Sequence, residues 1–86
     1  VIATPNGLHS QGIIAAAGQG KHVITEKPLG IQPGEMDLAI AACEDAGVTL
    51  AVAYQRRTAP DNKSIKRLIE QGAFGRVFAA DLSAIF

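Results

Sequence analysis

At 86 residues, with 48% hydrophobic and 19% charged side chains, the sequence has the composition of an ordinary globular chain, which argues against disorder. A formal net charge of zero and the lack of any basic block argue against a nucleic-acid partner, and no apolar run approaches the ~18 residues of a membrane-spanning helix. One cysteine, Cys43, excludes an internal disulfide and any cysteine-rich metal cluster; it reads as a small core residue, in a chain whose default setting is cytoplasmic.

Val1 to Thr4 is a short apolar run stopped by the turn signal Pro5-Asn6-Gly7, and it predicts a first strand. Leu8 to Ala17 predicts a helix, with Ile13, Ile14 and Ala17 on one face and Gly18 or Gly20 ending it. His22 to Thr25 predicts a second buried strand, followed by the loop EKPLGI. A second helix starts at Gln32-Pro33-Gly34-Glu35, because proline at the first helical position loses no hydrogen bond and Glu35 stands three residues after Gln32, as in a weak capping box. Met36, Ala39, Ile40 and Cys43 recur at helical spacing, and Gly47 suits the left-handed residue that ends the helix. Val48 to Tyr54 predicts a third strand, so continuously apolar that it suits a parallel sheet covered on both faces. Asp61 or Asn62 is positioned to cap a third helix with Ile65, Leu68 and Ile69 inward, closed by Gln71 to Gly75. Arg76 to Phe86 predicts a fourth strand with Phe78, Ala80, Leu82, Ala84 and Phe86 on one face.

The order is βαβαβαβ, which predicts α/β architecture built on a parallel sheet. The chain opens on VIAT without a methionine and ends on SAIF inside an extended pattern, so it reads as an internal piece of a larger sheet with open edges.

In an open parallel sheet, ligands bind beyond the C-terminal strand ends. That rule selects Thr4-Pro5-Asn6 with His9, then Glu26-Lys27-Pro28, then Tyr54-Gln55-Arg56-Arg57. Lys27 is either a solvated loop lysine or an ammonium that hydrogen-bonds a substrate hydroxyl and stabilises alkoxide charge. Glu26 can orient it, and Pro28 stops the strand. His9 is either a surface or cap residue or a ligand contact, and Asn6 either a cap or a ligand contact. Arg56 and Arg57 suit an anion or solvent, Tyr54 the crevice or the core, and His22 a structural place. No glycine fingerprint, Walker loop, metal-ligand spacing or nucleophile elbow is present.

Two segments, IATPNGLHSQGIIAAAGQGKHVITEKPLG and VTLAVAYQRRTAPDNKSIKRLIEQGAFGRV, resemble the Gfo/Idh/MocA dehydrogenases (glucose-fructose oxidoreductase and inositol dehydrogenase type). The shared pattern is a T-P-x-x-x-H turn, a G-K-H-V-x-x-E-K-P strand exit and a strand running into an N-x-R-type segment. The resemblance implies a Rossmann-type sheet running into a second α/β domain. Residues 1–58 would be the C-terminal half of the dinucleotide-binding domain, and 59–86 the bridging helix and first strand of the substrate domain.

It further implies NAD or NADP as cofactor, a sugar-like or cyclitol substrate, and a parent enzyme that is cytoplasmic, homo-oligomeric and free of nucleic acid and membrane. Lys27 matches the catalytic lysine, and Glu26, Lys27 and Pro28 the cofactor-side motif. Thr4, Pro5, Asn6 and His9 match the turn beside the nicotinamide ribose, and Gln55 and Arg57 a segment near the nicotinamide. Position 55 departs from the pattern, being Gln where many relatives have Asn. The family's glycine loop and its Asp…His pair fall outside these 86 residues, so the piece alone is expected to be inactive. The rival from another class is a non-catalytic dehydrogenase-like nucleotide-binding or scaffold protein; a generic receiver-like α/β module is a third reading.

Overall fold

Val23–Glu26 (β1) and Leu50–Ala53 (β2) are short, β-branched or small, and continuous enough to pair side by side. In the computed structural model, which describes residues 1–85, they form a parallel two-stranded sheet with Val23 opposite Leu50 and Glu26 opposite Ala53. Helices His9–Gly18 (α1), Pro33–Ala46 (α2) and Pro60–Glu70 (α3) complete an α/β order. The chain divides into two compact units, Val1–Tyr54 and the residues from Gln55 onward.

In the first unit, the predicted first strand is reduced to one parallel bridge between Ile2 and Thr25. Ile2 N–H donates to Ile24 O at 2.8 Å, and Glu26 N–H donates to Ile2 O at 2.9 Å. These bonds lay the Ile2 segment along the side of β1 away from β2, so the order across the sheet is Ile2, β1, β2. His22 closes the other end: its Nδ1 accepts from Thr49 N–H at 3.0 Å, while Val23 N–H donates to Thr49 O at 2.8 Å.

The core is Ile13 and Ala17 from α1, Val23 from β1, and Ala39 and Cys43 from α2, flanked by Ile2, Leu29, Val48 and Leu50. Both helices therefore cover one face of the sheet. Among the described residues the other face is uncovered, with Ile24 and Ala51 exposed. The period-2 alternation of a strand explains it: Val23 and Thr25 turn inward, and Ile24 turns out.

Helix α1 begins after a 3₁₀ turn at Asn6–Leu8, and its buried stripe is His9, Ile13 and Ala17, spaced by four. Ile14, expected on that stripe, lies off it and is exposed. Helix α2 begins at Pro33 as predicted, but the Gln32 side chain makes no cap bond, so the capping box does not form. It ends at Gly47, whose φ of 65° lets Val48 N–H donate to Cys43 O and Gly47 N–H to Glu44 O. Ala39 and Cys43 are buried, Met36 is half-buried and Ile40 is exposed.

The second unit consists of a 3₁₀ turn, Gln55–Thr58, then α3 and a glycine-closed turn. The predicted caps Asp61 and Asn62 do not cap. Pro60 takes the first helical position with Ala59 before it, which puts both residues inside the first turn. Asn62 Nδ2 instead donates to Arg56 O at 2.6 Å. Ile65, Leu68 and Ile69 are exposed rather than inward. Residues 76–85 form no strand among the described residues, and Phe78, Leu82 and Ile85 are almost fully exposed. Alternation assigns faces, but a strand exists only through its ladder, and no neighbour here supplies one. Phe86, the last residue of that predicted strand, lies outside the described residues.

Candidate functional site

Parallel pairing brings chain exits to one end of a sheet. Because Ile2 bridges Thr25 and Glu26 faces Ala53, the chain leaves the sheet at the same end three times: at Ala3-Thr4, at Glu26-Lys27 and at Tyr54. The Thr4-Pro5-Asn6 turn and the Glu26-Lys27-Pro28 loop are thus neighbours within the first unit.

Thr4, Pro5, Asn6 and Lys27 are exposed, and Glu26 and Pro28 half-buried. Lys27 N–H donates to Glu26 Oε2 at 3.2 Å, so the carboxylate folds back on the main chain of the lysine beside it. The Lys27–Pro28 peptide is cis. Tyr54 is exposed, so it is not a core residue.

His9 is 0% exposed. It is therefore not the surface residue that a lone histidine at a helix start suggests. Its Nδ1 lies 2.6 Å from Pro28 O and its Nε2 2.8 Å from Thr4 O. One ring spans the two loops that carry the candidate ligand contacts, and no edge of it faces solvent.

Two residues of this neighbourhood gave no sequence signal. Ser10 is buried, and Gly30 is buried opposite it. A Cβ on Gly30 would sit 2.9 Å from Met36 Cγ and 3.0 Å from Ser10 Oγ. The glycine lets the loop after Lys27 pass between α1 and α2. The one available hint was the glycine at the end of EKPLG, a residue that often marks close backbone approach.

Gln55 and Arg57 belong to the second unit, on its 3₁₀ turn, where both are exposed. Thr58 Oγ1 donates to Gln55 O at 2.8 Å and fixes that turn.

Residues 1–54 match the family model described as "Oxidoreductase family, NAD-binding Rossmann fold". The chain belongs to the Gfo/Idh/MocA family. Among curated proteins, levoglucosan dehydrogenase of Pseudarthrobacter phenanthrenivorans is 42% identical over 78 residues, which cover 91% of this chain and 20% of that protein. The scyllo-inositol 2-dehydrogenase (NADP(+)) of Bacillus subtilis is 37% identical, over 85% of this chain and 20% of its own length. Among solved structures, the WlbA dehydrogenase from Bordetella pertussis, in complex with NADH and UDP-GlcNAcA, superposes with a TM-score of 0.85 and 40% identity. That match covers 90% of this chain and 22% of WlbA. The chain thus spans about a fifth of the length of these relatives. The Gfo/Idh/MocA match gives the first unit its place: a segment of an NAD-binding Rossmann fold, with the parallel pairing and helix-covered face that fold requires.

Proposed function

We propose that the chain is the central piece of an NAD(P)-dependent dehydrogenase that moves hydride between a sugar-like or cyclitol hydroxyl carbon and nicotinamide. Residues 1–58 would close the dinucleotide-binding domain, and residues 59–86 would begin the substrate domain. The observation that carries the reading is the placement of Lys27. Its exposed ammonium stands at the C-terminal end of β1, where open α/β sheets bind ligands. The relatives' names support the substrate class: a levoglucosan dehydrogenase, an inositol dehydrogenase and a dehydrogenase bound to a nucleotide sugar.

The donor set fits the cofactor's nicotinamide end. Lys27 and Asn6 present exposed N–H donors beside each other's loops, suited to ribose hydroxyl and carboxamide oxygens. When bound, nicotinamide supplies the hydride acceptor for oxidation and the donor for reduction. Lys27 holds the reacting hydroxyl oxygen by a charge-assisted hydrogen bond and stabilises the negative charge that develops on it. Glu26 fixes the Lys27 main chain through its carboxylate. Thr4 and Pro5 shape the wall of the crevice. The hydroxyl proton leaves to a base outside these 86 residues, so the chain alone does not turn over.

The test is Lys27→Met in the full-length protein. The expected result is a fall in kcat of roughly 10²–10³-fold, the scale of removing one oxyanion donor, with nucleotide affinity far less affected. Undiminished turnover at saturating substrate sinks the role.

A further inference from the structure

The ring of His9 holds the main chain on both sides of the candidate crevice. Thr4 O and Pro28 O can only accept, so each bond requires an N–H on the imidazole. A neutral ring brings one N–H and the imidazolium two, so the proton count decides whether one or both carbonyls are held. The shorter contact, 2.6 Å, is the one to Pro28, the residue after Lys27. The ring is anchored from behind as well. His9 continues the buried stripe of Ile13 and Ala17, so it cannot swing without disturbing the face of α1 packed in the core. A flat ring packed between the two carbonyls is a rigid spacer: it fixes how far the Pro28 carbonyl stands from the Thr4 turn. Moving that carbonyl moves the Lys27 backbone.

We infer that His9 is a positioning residue: its Nδ1–H donates to the Pro28 carbonyl, and this bond sets the backbone that presents Lys27. The inference rests on the reading of Lys27 given above. It differs from a direct cofactor contact, because a sealed ring touches no ligand.

The test uses the full-length protein with 15N-labelled histidine. At neutral pH, the His9 ring should show a proton on Nδ1 that exchanges slowly with solvent. A ring protonated on Nε2 alone overturns the inference, and this readout needs neither a variant nor activity. Two variants then separate positioning from bulk structure. The amide of His9→Asn falls near the place of Nδ1 and can still donate to Pro28 O, whereas that of His9→Gln falls nearer the place of Nε2. We expect kcat to drop on the order of tenfold to a hundredfold in His9→Gln, and clearly less in His9→Asn, since displacements near 1 Å cost about that much. Equal losses in the two, or none in either, overturn the positioning role. If Lys27→Met retains full turnover while the Nδ1 proton is present, the catalytic reading has failed and the clamp has not.

Discussion

In α2, Ala39 and Cys43 are buried against α1 and β1, whereas in α3 the corresponding apolar positions Ile65, Leu68 and Ile69 keep 46%, 40% and 45% of their surface. Yet α3 separates its charged and apolar faces cleanly, while α1 and α2 are mostly small and apolar around much of their girth. Amphipathicity records that a helix needs a partner surface. It does not record that the partner lies within the same 86 residues. The first unit buries its helices because a sheet face is at hand; among the described residues, no residue of the second unit is buried.

The largest expected effect breaks the first unit and leaves the second untouched. Ile13 is fully buried at the centre of the core, so Ile13→Ala removes packed methyl groups at a site with little room to relax. A cost of about 2–5 kcal/mol is expected, comparable with the whole stability of so small a unit. Hydrogen exchange of the 86-residue chain reads it directly. The Val23 and Glu26 amides, bonded to Thr49 O and Ile2 O, should lose protection, and the α3 amides should not change. Equal loss in both units would show that the comparison is wrong and the chain folds as one.

A matched pair of glycines sharpens the contrast. Gly47 and Gly72 end α2 and α3 in the same way, with φ of 65° and 74°. No atom lies within 4 Å of the Cβ that either would gain, so alanine costs backbone strain alone, about 1 kcal/mol at each. In Gly47→Ala that cost should lower protection throughout the first unit. In Gly72→Ala it should fray only the last turn of α3.

Cys43 provides a smaller, pH-dependent test. Burial pushes its thiol up from the ordinary range, because the interior disfavours the thiolate. As pH rises through about 8.5, the unfolded chain therefore loses this proton before the folded one does. The contribution is fully present below that pH and is lost above it. Urea midpoints of the first unit should fall across this window in the natural chain, and fall less in Cys43→Ala. An identical slope in both chains would remove Cys43 from the account.

How much could be read in advance differs between the same two regions. Pro33 and Gly47 announced both ends of α2, because each acts through its own backbone. Candidate ligand residues were placed by a general property of parallel sheets, and Thr4 and Lys27 do lie at one sheet end. His9 was legible in part: its spacing of four from Ile13 and eight from Ala17 is a core stripe, but a histidine discourages reading it as one. The Ser10–Gly30 approach was not legible, because it depends on where a loop twenty residues away passes. Nor was the missing fourth strand, since a period of two names a face and never a neighbour.

The smallest expected effect bears hardest on the comparison. Ile69 sits on the apolar face of α3, beside Ile65, where a packed helix would tolerate serine only at a cost of several kcal/mol. Here the side chain is 45% exposed and no described residue of the second unit is buried, so Ile69→Ser in the 86-residue chain should change α3 protection by no more than about 0.5 kcal/mol. The same substitution in the full-length protein meets whatever covers that face there. A difference above about 2 kcal/mol between the two backgrounds would measure the missing partner surface directly. Equal small effects in both would mean that α3 carries its apolar stripe to solvent in the complete protein as well. The stripe would then be no sign of a substrate domain beginning at residue 59.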